Sequence, residues 1–251
     1  MSIHNCWFPQ SSDKHMTPTD TTRMPRLAVN NLAKTFILHN RDGRKICGYR
    51  EVNFCVYPGQ LLALTGPSGS GKSSVMKSIY RTYTPSRGSI RLYNGKDVVN
   101  LADCSASEML QHRRKSISFV TQFLKILPRV TALDVVAQPL MEAGVKQEAA
   151  REQAANLLKL LGIREELFFV SPLTFSGGEQ QRVNIARGVI APKKLLLLDE
   201  PTASLDEESA ERVLGLLDKL KEQGIAMIAI FHDRERMVKV ADEEYSLIWR
   251  N

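Results

Sequence analysis

The chain has 251 residues, 43% of them hydrophobic and 24% charged, which is the balance of a globular protein and excludes disorder over its whole length. A fold of this size buries roughly 70–75% of the surface its unfolded chain exposes, so it needs neither disulfides nor a structural metal, and no apolar run approaches the roughly 18–20 residues of a membrane-spanning helix. The net charge of +7 points to an acidic partner, whether nucleotide, nucleic acid, anionic lipid or protein surface.

In chain order, residues 1–25 are polar, rich in Ser, Thr and Pro, and read as a disordered leader without the apolar stretch of a secretory signal. Ordered structure is expected from Arg26, with strands at Leu27 to Phe36, Val52 to Tyr57 and Leu61 to Thr65, separated by turns at Asn40-Arg41-Asp42-Gly43 and Pro58-Gly59. A helix follows from about Lys72 to Tyr80, and a mostly helical section spans about 97–180. Within it Ala150, Ala154, Leu157, Leu158 and Leu161 share one helical face, which Gly162 ends. Leu195 to Leu198 and Ala226 to Phe231 are apolar at consecutive positions, as strands buried on both faces are, and a helix from Glu207 to Gln223 joins them into a strand–helix–strand unit. Arg113-Arg114-Lys115 is the one small basic cluster, and it reads as a solvated face rather than a nucleic-acid site. Cys6, Cys47, Cys55 and Cys104 have no metal-site spacing. Nothing asks for an oxidising compartment, so a cytoplasmic location is expected.

Three stretches carry chemistry. Gly66-Pro67-Ser68-Gly69-Ser70-Gly71-Lys72-Ser73 matches the phosphate-binding loop G-x-x-x-x-G-K-[ST] and joins an expected strand to an expected helix. The glycines let backbone N–H groups turn toward a β-phosphate, Lys72 supplies a point charge to the β- and γ-phosphates, and Ser73 offers a hydroxyl to Mg²⁺. Leu195 to Glu200 is an apolar strand ending in two carboxylates, Asp199 placed to hold Mg²⁺ and Glu200 to polarise the attacking water. Ser176-Gly177-Gly178 opens a helix-like run and makes a second anion-binding helix start. One chain cannot easily wrap both anion sites around one triphosphate, so a head-to-tail dimer with ATP between subunits is expected.

With these motifs in this order, the chain from about Arg26 onward resembles the ATP-binding cassette (ABC) ATPases. The resemblance implies an α/β fold: a P-loop NTPase (RecA-like) core sheet, an N-terminal antiparallel β subdomain and an inserted α-helical subdomain. It implies ATP and Mg²⁺ as cofactors, with Gly66 to Ser74 around the phosphates (Gly66, Pro67, Ser68, Gly69, Ser70, Gly71, Lys72, Ser73, Ser74). It also implies Ser73, Gln122 and Asp199 at the metal, Gln122 near the attacking water, Glu200 as base and His232 at the γ-phosphate. Ser176 and Gly178 would meet the nucleotide of the opposite subunit, Asp206 would cross the dimer interface, and Phe36 would stack on adenine. Phe175 and Glu179 stand where the family has Leu and Gln, so Glu179 is given no ligand role.

Within the family, Lys34 to His39, Gln122 to Arg129, Thr174 to Gly188 and Ile230 to Asp233 resemble the PhnL-type ATPases of the bacterial carbon–phosphorus lyase system. That likeness implies a homodimer, or a heterodimer with a sister ATPase, serving soluble lyase components in phosphonate use. The alternative is the ATPase of a lipoprotein-releasing or macrolide-type exporter, working with a separate permease. A binding module without turnover would have no need for Glu200. In the apolar segment Gln122 to Val130, Phe123 and Leu127 are expected in the core, with Lys125 and Arg129 exposed toward the partner.

Overall fold

Strand burial divides this protein into two cores on either face of one parallel sheet. A computed structural model describes residues 24–38, 44–124 and 128–248. The leader up to residue 23, the turn at residues 40–43, Lys125 and Leu127 lie outside the described residues. The strands are β1 (Leu27–Leu38), β2 (Arg44–Val56), β3 (Leu61–Thr65), β4 (Arg87–Asn94), β5 (Asp97–Asn100), β6 (Ile117–Val120), β7 (Leu195–Asp199), β8 (Ala226–Ile230) and β9 (Glu243–Ser246). The helices are α1 (Lys72–Ile79), α2 (Ala106–Lys115), α3 (Ala132–Glu142), α4 (Gln147–Leu160), α5 (Gly177–Val189), α6 (Glu207–Glu222) and α7 (Arg234–Val240).

β2-β1-β4-β5 form an antiparallel sheet, and β6-β7-β8-β3-β9 form a parallel one in that order. Side chains alternate across a strand, so a run such as Leu195–Leu198 can be apolar throughout only if both faces are covered. They are. Leu61, Ala63, Leu196, Leu198, Met227 and Ala229 face a core shared with α3, α4, α5 and α6. Leu62, Leu64, Leu195, Leu197, Ala226 and Ile228 face a second core, shared with α1 and the antiparallel sheet. This is the expected ABC ATPase architecture of core sheet, antiparallel β part and helical part.

Two stretches inside the expected helical section are strands. Asp97–Asn100 pairs with β4, and Ile117–Val120 forms the β6 edge of the parallel sheet beside β7. Each has four residues, too few for a period to declare itself. The α4 face is as expected: Ala150, Ala154, Leu158 and Leu161 are buried, Leu157 packs beside them, and Gly162 follows at φ +72°. Arg113-Arg114-Lys115 ends α2, where cations complement the helix dipole, and the Arg113 guanidinium lies 4.5 Å from the Tyr80 ring centroid.

Phe123 is not in the core. It is 71% exposed, because β6 ends at Val120 and the chain turns outward, with the Thr121 hydroxyl donating to the Phe123 carbonyl at 2.9 Å. Leu124 packs against the core instead, and Arg129 is exposed as expected.

Candidate active site

β3 ends at Thr65 and α1 starts at Lys72, so the loop Gly66–Gly71 links a buried interior strand of the sheet to a helix N-terminus. The chain can pass only because two positions lack a side chain. A Cβ on Gly71, at φ +95°, would stand 2.2 Å from the Gly48 carbonyl oxygen, and one on Gly66, at φ +129°, would stand 2.6 Å from that of Leu247. Lys72 reaches back over the loop, and its Nζ donates to the Gly66 and Pro67 carbonyls at 2.8 and 3.0 Å. Pro67, Ser68 and Gly69 are exposed, Ser70 is buried with its N–H donating to the Pro67 carbonyl at 3.2 Å, and Ser74 is half-buried.

The parallel register carries the other motifs to the same end of the sheet. The Ser73 hydroxyl donates to Asp199 Oδ1 at 3.1 Å, joining two residues 126 positions apart. Burial, first, pushes the Asp199 carboxyl above its ordinary range, partly offset by that hydrogen bond. Gln122, just past β6, donates from Nε2 to Glu200 Oε2 at 2.9 Å. Glu200 sits at φ +55°, a left-handed position that costs a non-glycine residue roughly 1–2 kcal/mol and turns the chain off β7. Its N–H donates to the Ile230 carbonyl at 3.0 Å, two residues before His232. Glu200 and His232 then line one cavity of about 290 Å³ with Thr202, Ala203, Ser204, Asp233 and Arg236.

A divalent cation fits this donor set. Asp199 is a buried acid whose charged form lacks solvent, with a hydroxyl at hydrogen-bond distance. Among the described residues no group of three or more His, Cys, Asp or Glu side chains is arranged to hold a metal ion by itself. One carboxylate, one hydroxyl and substrate phosphates suit Mg²⁺ better than a cation that needs an all-protein cage.

Phe36 is half-buried, edge-on to Tyr83 at 5.2 Å and 82°, with Lys34 Nζ 5.2 Å from its centroid. Gly48 on β2 connects it to the phosphate loop: a Cβ there would meet the Phe36 ring at 2.5 Å, while the Gly48 carbonyl abuts Gly71. β2 is held against α1 by the Tyr49 hydroxyl, which donates to Ser78 Oγ at 2.5 Å and which burial pushes up to about 12. A glycine inside a strand marks close backbone approach, so Gly48 was readable from sequence.

Ser176 is the N-cap of α5. Its Oγ accepts from the Glu179 N–H at 3.3 Å and donates to Glu179 Oε2 at 2.8 Å, and its own N–H donates to the same oxygen at 3.0 Å. The Glu179 carboxyl is held below its ordinary value first by the Ser176 hydroxyl, then by the Ser176 N–H. The Ser-x-x-Glu capping box therefore accounts for Glu179. Gly178 abuts the Ser204 carbonyl, so the contacts of Ser176 and Gly178 lie within their own helix turn and on loop 201–206. Asp206 caps α6, accepting from the Ser209 N–H at 2.7 Å. Arg236 on α7 holds the same loop, donating to the Thr202 and Leu205 carbonyls at 2.9 and 3.2 Å.

Comparison with known proteins identifies the family. The model of the family described as ABC transporter matches residues 49–203. A lipoprotein-releasing system ATP-binding protein, LolD, of Hyphomonas neptunium is 44% identical over 179 residues, covering 71% of this chain and 76% of its own length. The macrolide export ATP-binding/permease protein MacB of Marinobacter nauticus is 38% identical over 201 residues, covering 78% of this chain and 30% of that protein. Among solved structures, the dimeric post-hydrolysis state of the ATP-binding cassette MJ0796 bound to ADP and Pi is similar, with a TM-score of 0.77 and 30% identity over 87% of this chain and 95% of that one. The expected likeness to phosphonate carbon–phosphorus lyase ATPases finds no support in these relatives, whose names point to release and export. Motifs that all members must share to hydrolyse ATP cannot separate its branches, which is why residues around Gln122 and Ser176 misdirected the finer assignment. The chain belongs to the ABC transporter family, as one of its ATP-binding proteins.

Proposed function

We propose that this chain hydrolyses ATP as the motor subunit of a lipoprotein-releasing or macrolide-type exporter, working as a head-to-tail dimer at the cytoplasmic face of a membrane permease. The observation that carries the catalytic part is the pair of long-range hydrogen bonds, Ser73 to Asp199 and Gln122 to Glu200, which gather four motif residues at the phosphate loop. The exporter reading is supported by the names of the LolD and MacB relatives. The dimer reading is supported by the MJ0796 structure, which is dimeric.

In this reading Lys72 leaves the Gly66 and Pro67 carbonyls for the β- and γ-phosphates, and the loop N–H groups and α1 N-terminus complete the cradle. Ser73, Asp199 and Gln122 would hold Mg²⁺, which would supply positive charge against the phosphates. Glu200 accepts the proton of the attacking water at its carboxylate, which Gln122 orients. His232 donates to the γ-phosphate across the cavity it shares with Glu200. Ser176 and Gly178 of the partner subunit close the site, and Phe36 supports the adenine beside the loop. Phe123, turned outward just after Gln122, is apolar surface for a permease segment.

Glu200→Gln tests this. A positioned base contributes typically about 10²–10⁴-fold, so turnover should fall by that order while ATP binding persists and an ATP-bound dimer accumulates on gel filtration. Wild-type turnover in Glu200→Gln overturns the assignment.

A further inference from the structure

The helix that Ser176 caps also reaches the backbone of Glu200 in its own chain. Gln181 is 5% exposed, and its Nε2 donates to the Glu200 carbonyl at 3.2 Å and to the Pro201 carbonyl at 3.4 Å. Three residues on, Asn184 is 7% exposed and its Nδ2 donates to the Thr121 carbonyl at 2.6 Å. Of these three carbonyls, one belongs to Glu200 and one to the residue before Gln122, and Gln122 and Glu200 are the partners in the 2.9 Å side-chain hydrogen bond. Gly188, another turn along the same face, has no room for a Cβ, which would meet Val120 Cγ2 at 2.3 Å, so α5 lies directly on the end of β6. At the other end of the helix Gly178 abuts the Ser204 carbonyl.

Such polar side chains have a cost when buried, and here the amides find carbonyls past the strand ends, that of Glu200 being shared with the Ala203 N–H at 3.2 Å. The Glu200 carbonyl belongs to a residue in a left-handed conformation, which persists only where its surroundings over-determine it. Gln181 is one of those surroundings.

We infer that Gln181, with Asn184 beside it, is a positioning residue that sets Glu200 and Gln122 from the backbone side and links the two ATP sites of the dimer through α5. The inference rests on the proposed roles of Glu200 and Ser176. The first turn of α5 lies at the nucleotide of the opposite subunit, and its second turn holds the base of its own. A shift of α5 when Ser176 engages the partner's nucleotide is delivered to Glu200 by a hydrogen bond five residues away. ATP closure at one site thereby sets the base at the other.

The test compares Gln181→Glu, isosteric but unable to donate when ionised, with Gln181→His, which keeps an N–H at similar reach. Gln181→Glu should lower kcat roughly ten-fold, as expected for a displaced base, with KM for ATP unchanged. Gln181→His should recover part of that loss. Gln181→Glu combined with Glu200→Gln should still form the ATP-dependent dimer, because the Ser176 cap is untouched. Unchanged kcat in Gln181→Glu, with Glu200→Gln inactive, overturns the positioning role alone. Loss of the ATP-dependent dimer in the double variant, or of thermal stability in both Gln181 variants, overturns it in favour of a purely structural residue. Wild-type turnover in Glu200→Gln removes the underlying assignment of the base, and this inference with it.

Discussion

Gly177 and Gly178 are neighbours in the first turn of α5, yet an added methyl group meets different surroundings at each. At Gly177 the nearest atom to an added Cβ is Ser204 Cβ at 3.9 Å, ordinary contact. At Gly178 it is the Ser204 carbonyl oxygen at 2.9 Å, with Leu205 Cδ2 at 3.7 Å. A carbon-to-carbonyl contact closes to about 3.3 Å, so loop 201–206 must retreat by roughly 0.4 Å. Replacing helical Gly by Ala gains up to about 1 kcal/mol, whereas overpacking costs typically about 1–3 kcal/mol. Gly177→Ala should therefore be neutral or stabilised by up to that gain. Gly178→Ala should lie about 1–3 kcal/mol below it, the overpacking cost alone. In a domain of this size about 1 kcal/mol moves Tm by roughly 2–4 °C, which thermal unfolding of the two variants side by side resolves. Because loop 201–206 leads directly from Glu200, its displacement should also slow hydrolysis roughly ten-fold in Gly178→Ala, given that misplacement by 1 Å can cost about 10²-fold. Equal Tm values with wild-type turnover in Gly178→Ala would refute the claim that close packing of α5 on this loop sets the site.

Lys72→Ala should lose ATP binding itself, seen as loss of fluorescent-nucleotide titration with Tm retained, and tight ATP retention would overturn the phosphate-loop assignment. Acid stability should depend on Glu179. Its carboxyl is held below the ordinary value by Ser176, so its contribution is complete above the unfolded pKa of about 4.3 and is lost as pH falls through the folded value. Glu179→Gln should accordingly show a shallower loss of Tm on acidification below about pH 4.3, and a steeper one would contradict the capping role.

Much of the candidate site is legible in the residues because phosphate binding, metal binding and base catalysis would each demand particular side chains at close spacing. Gly66 to Ser73, Asp199-Glu200 and Ser176-Gly177-Gly178 meet that demand within a few residues. The core strands are legible for a related reason, since consecutive Leu at 195–198 make sense only between two apolar layers. What escapes is set by distance along the chain. Gln181 and Asn184 look like ordinary polar helix residues until the fold brings carbonyls 19 and 63 residues away against them. Phe123 reads as core because it is large and apolar, but its chain has left the sheet, and the adjacent Leu124 takes the buried place. Glu179 is the opposite case: its Ser-x-x-Glu spacing with Ser176 is that of a capping box, a structural role that local sequence alone can show.

In the proposed mechanism each ATP is hydrolysed between the phosphate loop of one subunit and Ser176 of the other. Mixing Lys72→Ala with Ser176→Arg chains, each expected to be inactive alone, tests this, with mixed dimers verified by cross-linking between distinguishable tags. A mixed dimer contains one site with both defects and one site with neither, so the account predicts that Mg²⁺-dependent ATP hydrolysis reappears on mixing. Mixed dimers that form and yet hydrolyse no faster than either variant alone would contradict it.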